Sequence, residues 1–218
     1  DLLDFHIDMR NIKREGDVEF NDGKKPKRLI KQLIKWINSS NGIILDFFSG
    51  SATTAHSVME LNFEDGGNRK FIMVQLQEPT DEDSEAYKVG YKNISEIGKE
   101  RIRRAGEKIK SDNKDKENIE NLDIGFKVFK LDTSNIRKWE PDYDNLEQSL
   151  LDYVDNYVEG RTEADVVYEI MLKYGLDLSY PVDEFIISGK KVYSIGYGML
   201  MICLDDEIIT DVAKGILE

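Results

Sequence analysis

One run of six residues, Ile43, Ile44, Leu45, Asp46, Phe47 and Phe48, limits what this 218-residue chain can fold into more than any other feature. A strand with a single polar side chain has apolar groups on both faces, and burial on both faces is the habit of parallel sheets covered by helices. The run leads straight into Ser49, Gly50, Ser51, Ala52, Thr53 and Thr54, a stretch of small residues in which the chain can reverse. Ahead of it, Leu29, Ile30, Leu33, Ile34 and Ile37 recur at helical spacing after Pro26 and stop before Asn41-Gly42, which predicts an amphipathic helix ending near Asn38. Beyond it the spacing predicts a helix over 55–62, a loop at Asp65-Gly66-Gly67-Asn68, a strand over 71–76, a helix over 94–110 and a third strand over 125–131. Such alternation is an α/β pattern.

Charge divides the chain. Residues 1–135 carry 23 basic and 25 acidic side chains, whereas 136–218 carry 7 and 18, so nearly all of the net charge of −13 sits in the second region. The boundary is placed near 134–144, where Pro141 and turn-forming residues interrupt the periodicity. This gives a first domain over 1–135 and an acidic second domain over 136–218. In the second, Leu146, Leu150, Leu151, Val154, Tyr157 and Val158 mark a helix closed by Gly160. Val166, Val167, Ile170 and Met171 mark another, with Thr162 and Asp165 at capping-box spacing and Gly175 past its end. Short strands are expected near 185–187, 191–195, 199–204 and 207–210, so this part reads as a small α+β domain. The polar run over 111–121 reads as a solvated loop.

Composition excludes several classes. With 40% apolar residues the chain can build a core, and its acidity argues against whole-molecule attraction to nucleic acid. Its apolar runs, such as 199–204, are far too short to span a bilayer, and no signal-peptide pattern follows Asp1. One cysteine, Cys203, cannot form an internal disulfide, and two isolated histidines, His6 and His56, do not make a metal cage. No metal, no membrane and a reducing cytoplasm are therefore expected.

Chemistry is expected where the buried strand ends, because backbone N–H groups at the following helix start can face a ligand. Neither a P-loop nor a G-x-G-x-x-G pattern is present, which disfavours nucleoside triphosphates and NAD. Spacing alone fits a plain structural connection as well as a cofactor turn.

The residues say more than the spacing. DFFSGSATTAHSVMELN followed by EDGGNRKFIMVQLQEPT resembles the S-adenosylmethionine-binding segment of β-class amino-methyltransferases, specifically the modification subunit of type III restriction-modification systems. The resemblance continues through KKPKRLI, ERIRRAGEKI, GFKVFKLDTSN, RTEADVVYEIMLKYGL and VYSIGYGMLMICLDDEI, and so covers nearly the whole chain. It implies an incomplete Rossmann-like methyltransferase sheet followed by the small α+β domain, and S-adenosylmethionine as cofactor. It places Asp46 and Phe47 against the cofactor, with the backbone of Ser49, Gly50 and Ser51 beneath and Lys25 and Pro26 in a second segment. Gln75, or else Glu78, would receive the ribose hydroxyls. Those groups suit the ligand: an acid for its cationic centres, backbone donors for its carboxylate, an acceptor for its diol, and apolar walls from Phe47 or Phe48 for its purine. His56 reads as a packing or surface residue rather than a catalytic one.

Two departures qualify the resemblance. The family usually writes its turn G-S-G-T-T, but Ala52 stands where the second glycine would, at a cost of up to ~1 kcal/mol if that backbone needs positive φ. The D-P-P-Y or N-P-P-Y loop that holds an extruded base is absent, since Pro26, Pro79, Pro141 and Pro181 are isolated from one another. In the family that loop precedes the cofactor segments, so the chain looks like the carboxyl-terminal part of a longer enzyme, with no catalytic residue of its own. Its expected role is the cofactor-binding part of a DNA adenine-N6 methyltransferase. The alternative is a non-catalytic module that docks a partner. DNA acting through the parent enzyme, a restriction subunit and a second copy of the chain are the expected partners. Arg101, Arg103, Arg104, Lys108 and Lys110 are candidates for phosphate contact. With part of the sheet missing, residues 43–48 should form an edge strand covered by residues 1–20 or by another chain.

Overall fold

The computed structural model describes residues 8–10, 12, 15–17, 24–37, 39–117, 119–153 and 156–217. The chain divides into two compact units, Asp1–Phe126 and Lys127–Glu218, each with a mixed set of helices and short strands.

In the first unit, helix α1 (Lys27–Ile37) opens where the Pro26 carbonyl accepts the Ile30 N–H. Both carboxylate oxygens of Glu15 accept the Lys27 N–H, at 3.1 and 3.0 Å, placing an anion at the helix N-terminus. Ile30 and Ile34 pack on Val58 and Leu61 of helix α2 (Thr53–Asp65). Strand β1 (Ile43–Asp46) precedes α2, strand β2 (Lys70–Met73) follows it, and the two pair in parallel with Ile43 opposite Lys70 and Asp46 opposite Met73. Asn62 and Arg69 fix this crossover: the Asn62 amide exchanges two hydrogen bonds with the Arg69 backbone, and the Arg69 guanidinium reaches Asp65 and the Ser39 carbonyl. A short helix, α3 (Glu85–Lys88), lies in the excursion before helix α4 (Ile94–Asp112), which Asn93 caps. One helical stripe of α4, including Ile102, Ala105 and Ile109, buries against Ala55 and Met59 of α2, with Phe71 and Met73 from β2 beneath. The charge run read as loop holds an anchor, because Ile119 in a single 3-10 turn (Ile119–Asn121) joins this core.

The sheet is packed on one face. Ile43, Leu45, Ile72 and Val74 point the other way and are 67, 58, 51 and 48% exposed, so the expected burial on both faces is not met among the described residues. Among those residues β1 pairs with β2 alone. The expectation that residues 1–20 cover its free edge falls largely outside the described residues. The third strand expected over 125–131 is also not formed among them. Leu122, Ile124 and Phe126 do alternate inward against the α4 core, but alternation needs only a surface to pack on, whereas a strand needs a ladder partner.

In the second unit, helix α5 (Leu146–Asp152) is shorter than the spacing predicted: Tyr157 forms an isolated bridge with Ile136, and residues 154 and 155 lie outside the described ones. Helix α6 (Glu163–Lys173) carries the expected capping box, Thr162 Oγ1 accepting from Asp165 N at 3.2 Å and the Asp165 carboxylate from Thr162 N at 2.8 Å. Strands β3 (Val182–Ile187), β4 (Lys190–Ile195) and β5 (Leu200–Ile202) form an antiparallel meander, its first hairpin closed by Ser188 and Gly189 with φ of 50° and 80°. Val167 and Met171 of α6 bury on Tyr193, Ile195 and Ile202. The strand expected over 207–210 is not formed: residues 207–209 are irregular, and helix α7 (Thr210–Leu217) begins at the last of the four. The β-branched run Ile208, Ile209, Thr210 suggested a strand, but Val212 is fully buried from a helix packed on β3. No helix among the described residues is long and apolar enough to cross a membrane.

Met171 is fully buried at the centre of the second core. Met171→Ala is expected to destabilise the second unit by about 2–5 kcal/mol, read as a lower urea midpoint. An unchanged midpoint would contradict the packing of α6 on the meander.

Candidate functional site

Where β1 ends the chain turns within a few residues, and side chains from three other elements meet it there. Two backbone bonds extend the parallel pairing past the strands: Val74 N–H donates to the Asp46 carbonyl at 2.9 Å, and Ser49 N–H to the Val74 carbonyl at 3.2 Å. The turn then goes left-handed, with Gly50 at φ 51° and Ala52 at φ 59°. The positive φ considered for position 52 is thus present, and in an alanine. Ala52 gives α2 no side-chain cap, and two other devices hold the helix start. Asp46 is the first: its carboxylate accepts from Thr54 Oγ1 at 2.6 Å and from Phe48 N at 3.2 Å.

Arg101 is the second. Its guanidinium has no exposed surface, and it donates to Thr53 Oγ1 at 2.7 Å, Ser51 Oγ at 3.0 Å and the Glu15 carboxylate at 3.2 Å. A longer contact, 3.5 Å, runs from Nε–H to His56 Nδ1. With Nδ1 accepting, the ring proton sits on Nε2, which faces Glu60 at 3.2 Å. The Lys27 ammonium lies 3.4 Å from the same nitrogen and 2.5 Å from the Glu60 carboxylate. Burial, the largest influence, pushes His56 below its ordinary value of 6.5, and the neighbouring cations Lys27 and Arg101 add to it against Glu60. Burial works to raise Glu60, but hydrogen bonds from His56 and Lys27 outweigh it and hold the carboxyl well below the usual carboxylate range. Arg101 is lowered by burial and supported by Glu15, and a guanidinium remains charged throughout.

The structure gathers some of the residues the sequence singled out and separates others. Asp46, Phe47, Ser49, Gly50, Ser51 and Gln75 share one corner. Gln75 closes the turn, its Oε1 accepting the Gly50 N–H at 2.8 Å. Phe47 and Phe48 are both exposed, their ring centroids 5.0 Å apart, so neither joins the core. Lys25 is exposed and Pro26 buried at the mouth of α1, tied to the turn only through Lys27, Glu15 and Arg101. The Glu78 side chain is exposed, and its carbonyl receives the first N–H of α4. His56 is buried and packed, in keeping with its reading. Arg101 is corrected: fully buried, it cannot touch a phosphate. Arg104 and Lys108 bond Glu100 and Asp17.

Sequence reasoning missed Arg101, Glu15, Thr54 and Gly98. A side-chain carbon built on Gly98 would sit 3.2 Å from the Gly50 carbonyl, a tight contact, so glycine at this position eases the close approach of α4 to the turn. Arg101 had a readable signal: Ile97, Arg101, Ala105 and Ile109 are spaced by four on one helix face, and the other three are buried. Among the described residues no group of His, Cys, Asp or Glu could hold a metal ion.

The pH dependence follows from His56 and Glu60. Both are lowered in the folded chain, so the unfolded chain binds more protons, and stability is full above pH 6.5 and falls with acidification, first through His56 and below about pH 4.5 also through Glu60. Urea melts between pH 7.5 and 5.5 should show the first unit weakening, and His56→Gln should flatten that slope. A slope that persists in His56→Gln would mean His56 is not buried neutral.

Residues 10–79, which contain every residue of this corner contributed by β1, α2 and β2, match the DNA methylase family. The type III restriction-modification enzyme StyLTI Mod subunit of Salmonella typhimurium is 44% identical over 118 residues, 54% of this chain and 17% of that protein. The EcoP15I Mod subunit of Escherichia coli is 35% identical over 192 residues, 85% of this chain and 27% of that protein. The type II methyltransferase M.KpnI of Klebsiella pneumoniae is 41% identical over 76 residues, 35% of this chain and 18% of that protein. The chain thus spans well under a third of the length of these relatives. Residues 10–79 thus carry a DNA methylase family segment, and 85% of the chain is similar to part of a type III modification subunit.

Proposed function

We propose that this chain is the S-adenosylmethionine-binding part of a DNA adenine-N6 methyltransferase of a restriction-modification system. The observation that carries the reading is the corner at the end of β1: an acid, two exposed aromatic rings, a small-residue turn opening a helix, and an amide from β2. Bound there, the cofactor would supply the methyl group for transfer to an amine.

The donor set fits such a ligand. Asp46 spends one lone pair on each oxygen, and a carboxylate has about four, so each oxygen retains acceptor capacity for a cationic group. Phe47, with Phe48 beside it, offers an uncovered aromatic surface of the kind a purine stacks on. Ser49 and Gly50 spend their N–H groups on Val74 and Gln75, so of the three turn residues Ser51 has the amide at the N-terminus of α2 that favours a carboxylate. Gln75 Oε1 already accepts from Gly50, and its second lone pair, or the free carboxylate of Glu78 three residues on, suits a diol. Lys25 and Pro26 belong to the site through the α1 mouth.

The bare face of the β1–β2 pair, and the edge of β1 that has no ladder partner among the described residues, support a sheet completed by further strands. The domain reading follows, with residues 1–135 serving the cofactor and 136–218 forming an acidic module. A restriction subunit, DNA and a second copy are the partners of this reading, and the cytoplasm its compartment. The docking-module alternative draws on one observation, the missing D/N-P-P-Y loop, and the two readings agree that this chain alone does not transfer a methyl group.

Calorimetric titration with S-adenosylmethionine is expected to show weak binding that Asp46→Ala reduces about tenfold or more. Unchanged affinity would remove Asp46 from the site. Incubation of the chain alone with DNA and labelled cofactor should give no incorporation above background, and transfer above it would overturn the non-catalytic assignment.

A further inference from the structure

The cofactor reading assigns contacts to the turn but says nothing of what holds the turn in shape. The turn is not self-supporting. Ala52 adopts φ 59° and ψ 39°, a left-handed conformation that L side chains resist, and it offers α2 no side-chain cap. Arg101 reaches this turn and bonds the hydroxyls of Ser51 and Thr53, on either side of Ala52 in sequence. The guanidinium is itself held from below by Glu15, whose carboxylate also takes the first N–H of α1. A buried guanidinium is planar and forked, so it fixes the separation of its acceptors as a point charge cannot.

From this we infer that Arg101 is a positioning residue for the cofactor turn, with Glu15 coupling that turn to the Lys25-Pro26 segment. Arg101 touches no ligand, because none of its surface is exposed. Its two bonds lock Ser51 and Thr53 so that Ala52 stays left-handed between them. Glu15 makes the arrangement shared: the carboxylate that balances Arg101 is the one that starts α1, so the two cofactor segments keep a fixed relation although no direct bond between them is present among the described residues. Gly98 completes the device, since it lets α4 bring Arg101 close beneath the turn.

The inference rests on the proposed cofactor site, and the test separates the two. Arg101→Met, Arg101→Lys and Thr53→Val are made in the full chain, and each is measured for S-adenosylmethionine affinity by calorimetry, for amide hydrogen exchange at residues 49–54 and for thermal unfolding. Arg101→Met should weaken binding about tenfold or more and speed exchange in the turn while exchange in α6 stays unchanged. Arg101→Lys, able to reach one hydroxyl but not both, should fall between. Adding Ala52→Gly should recover more affinity in the Arg101→Met background than it adds to the unaltered chain, because glycine removes the resistance that Arg101 opposes. A purely structural arginine would lower the melting temperature and leave affinity of the folded fraction and the Ala52→Gly increment alike, and that result overturns the inference. If Arg101→Met does not fold, the isosteric Thr53→Val decides by the same two readouts. If the unaltered chain binds no cofactor, the cofactor reading fails by itself. Exchange at 49–54 then judges Arg101 separately: faster exchange in the variants upholds its positioning role, and unchanged exchange refutes it.

Discussion

A guanidinium cannot be buried without acceptors, and Arg101 is buried completely. Leaving such a charge unpaired costs about 3–5 kcal/mol, comparable to a large part of the stability of a small domain. Its partners are therefore constraints on the fold of the first unit. Ser51 and Thr53 come from the turn and first residue of α2, His56 from the next turn of that helix, and Glu15 from the segment before α1. Satisfying one side chain fixes where three pieces of chain meet the amino-terminal half of α4. The turn after β1 is held by three sets of bonds, Arg101 to Ser51 and Thr53, Asp46 to Phe48 and Thr54, and Gln75 to Gly50. Its shape depends on those side chains more than on the short sheet, which is only two strands wide among the described residues.

The two units answer burial differently. In the second, hairpins close locally, each strand of the meander finds its neighbour within a few residues, and α6 covers the sheet with Val167 and Met171. In the first, β1 and β2 present Ile44, Phe71 and Met73 to the helices and leave Ile43, Leu45, Ile72 and Val74 outside. Parallel strands with apolar residues on both faces are built for two covering layers. The exposed side of this pair is thus a surface composed for contact, consistent with relatives whose matched stretch is a minor part of their length.

What the sequence revealed followed from how local each signal was. The strand and turn over 43–54, the α6 capping box and the Ser188-Gly189 hairpin are each specified by a few adjacent residues, and each is where the spacing placed it. Signals that need a distant partner were weaker. Residues 125–131 alternate like a strand, but the pattern records only that one side faces a core. Ile208, Ile209 and Thr210 look β-branched until Val212 and the packing of α7 on β3 override them. At the site, Asp46, Gly50 and Gln75 could be named through the family resemblance, whose motifs fall on and just beyond the ends of β1 and β2. Glu15 could not, since nothing near it in sequence shows that it faces an arginine 86 residues away. Arg101 was readable in principle, as a charge in the buried stripe of Ile97, Ala105 and Ile109, but was grouped with the exposed basic residues around it.

Ala52 shows how such a turn tolerates an apparently wrong residue. Its left-handed backbone costs about 1 kcal/mol relative to glycine. Its methyl group, though, is only 1% exposed and lies in the core formed by Ala55, Met59 and Ile102, and burying one such group contributes about 0.8 kcal/mol. The two effects nearly cancel, provided that the facing position leaves room. It does, because Gly98 stands opposite: a side-chain carbon added there would lie 3.6 Å from the Ala52 methyl and 3.2 Å from the Gly50 carbonyl. Packing then returns what the backbone loses, and the hydroxyl bonds of Arg101 decide the conformation, because neither strain nor burial favours it by a margin large enough to do so alone.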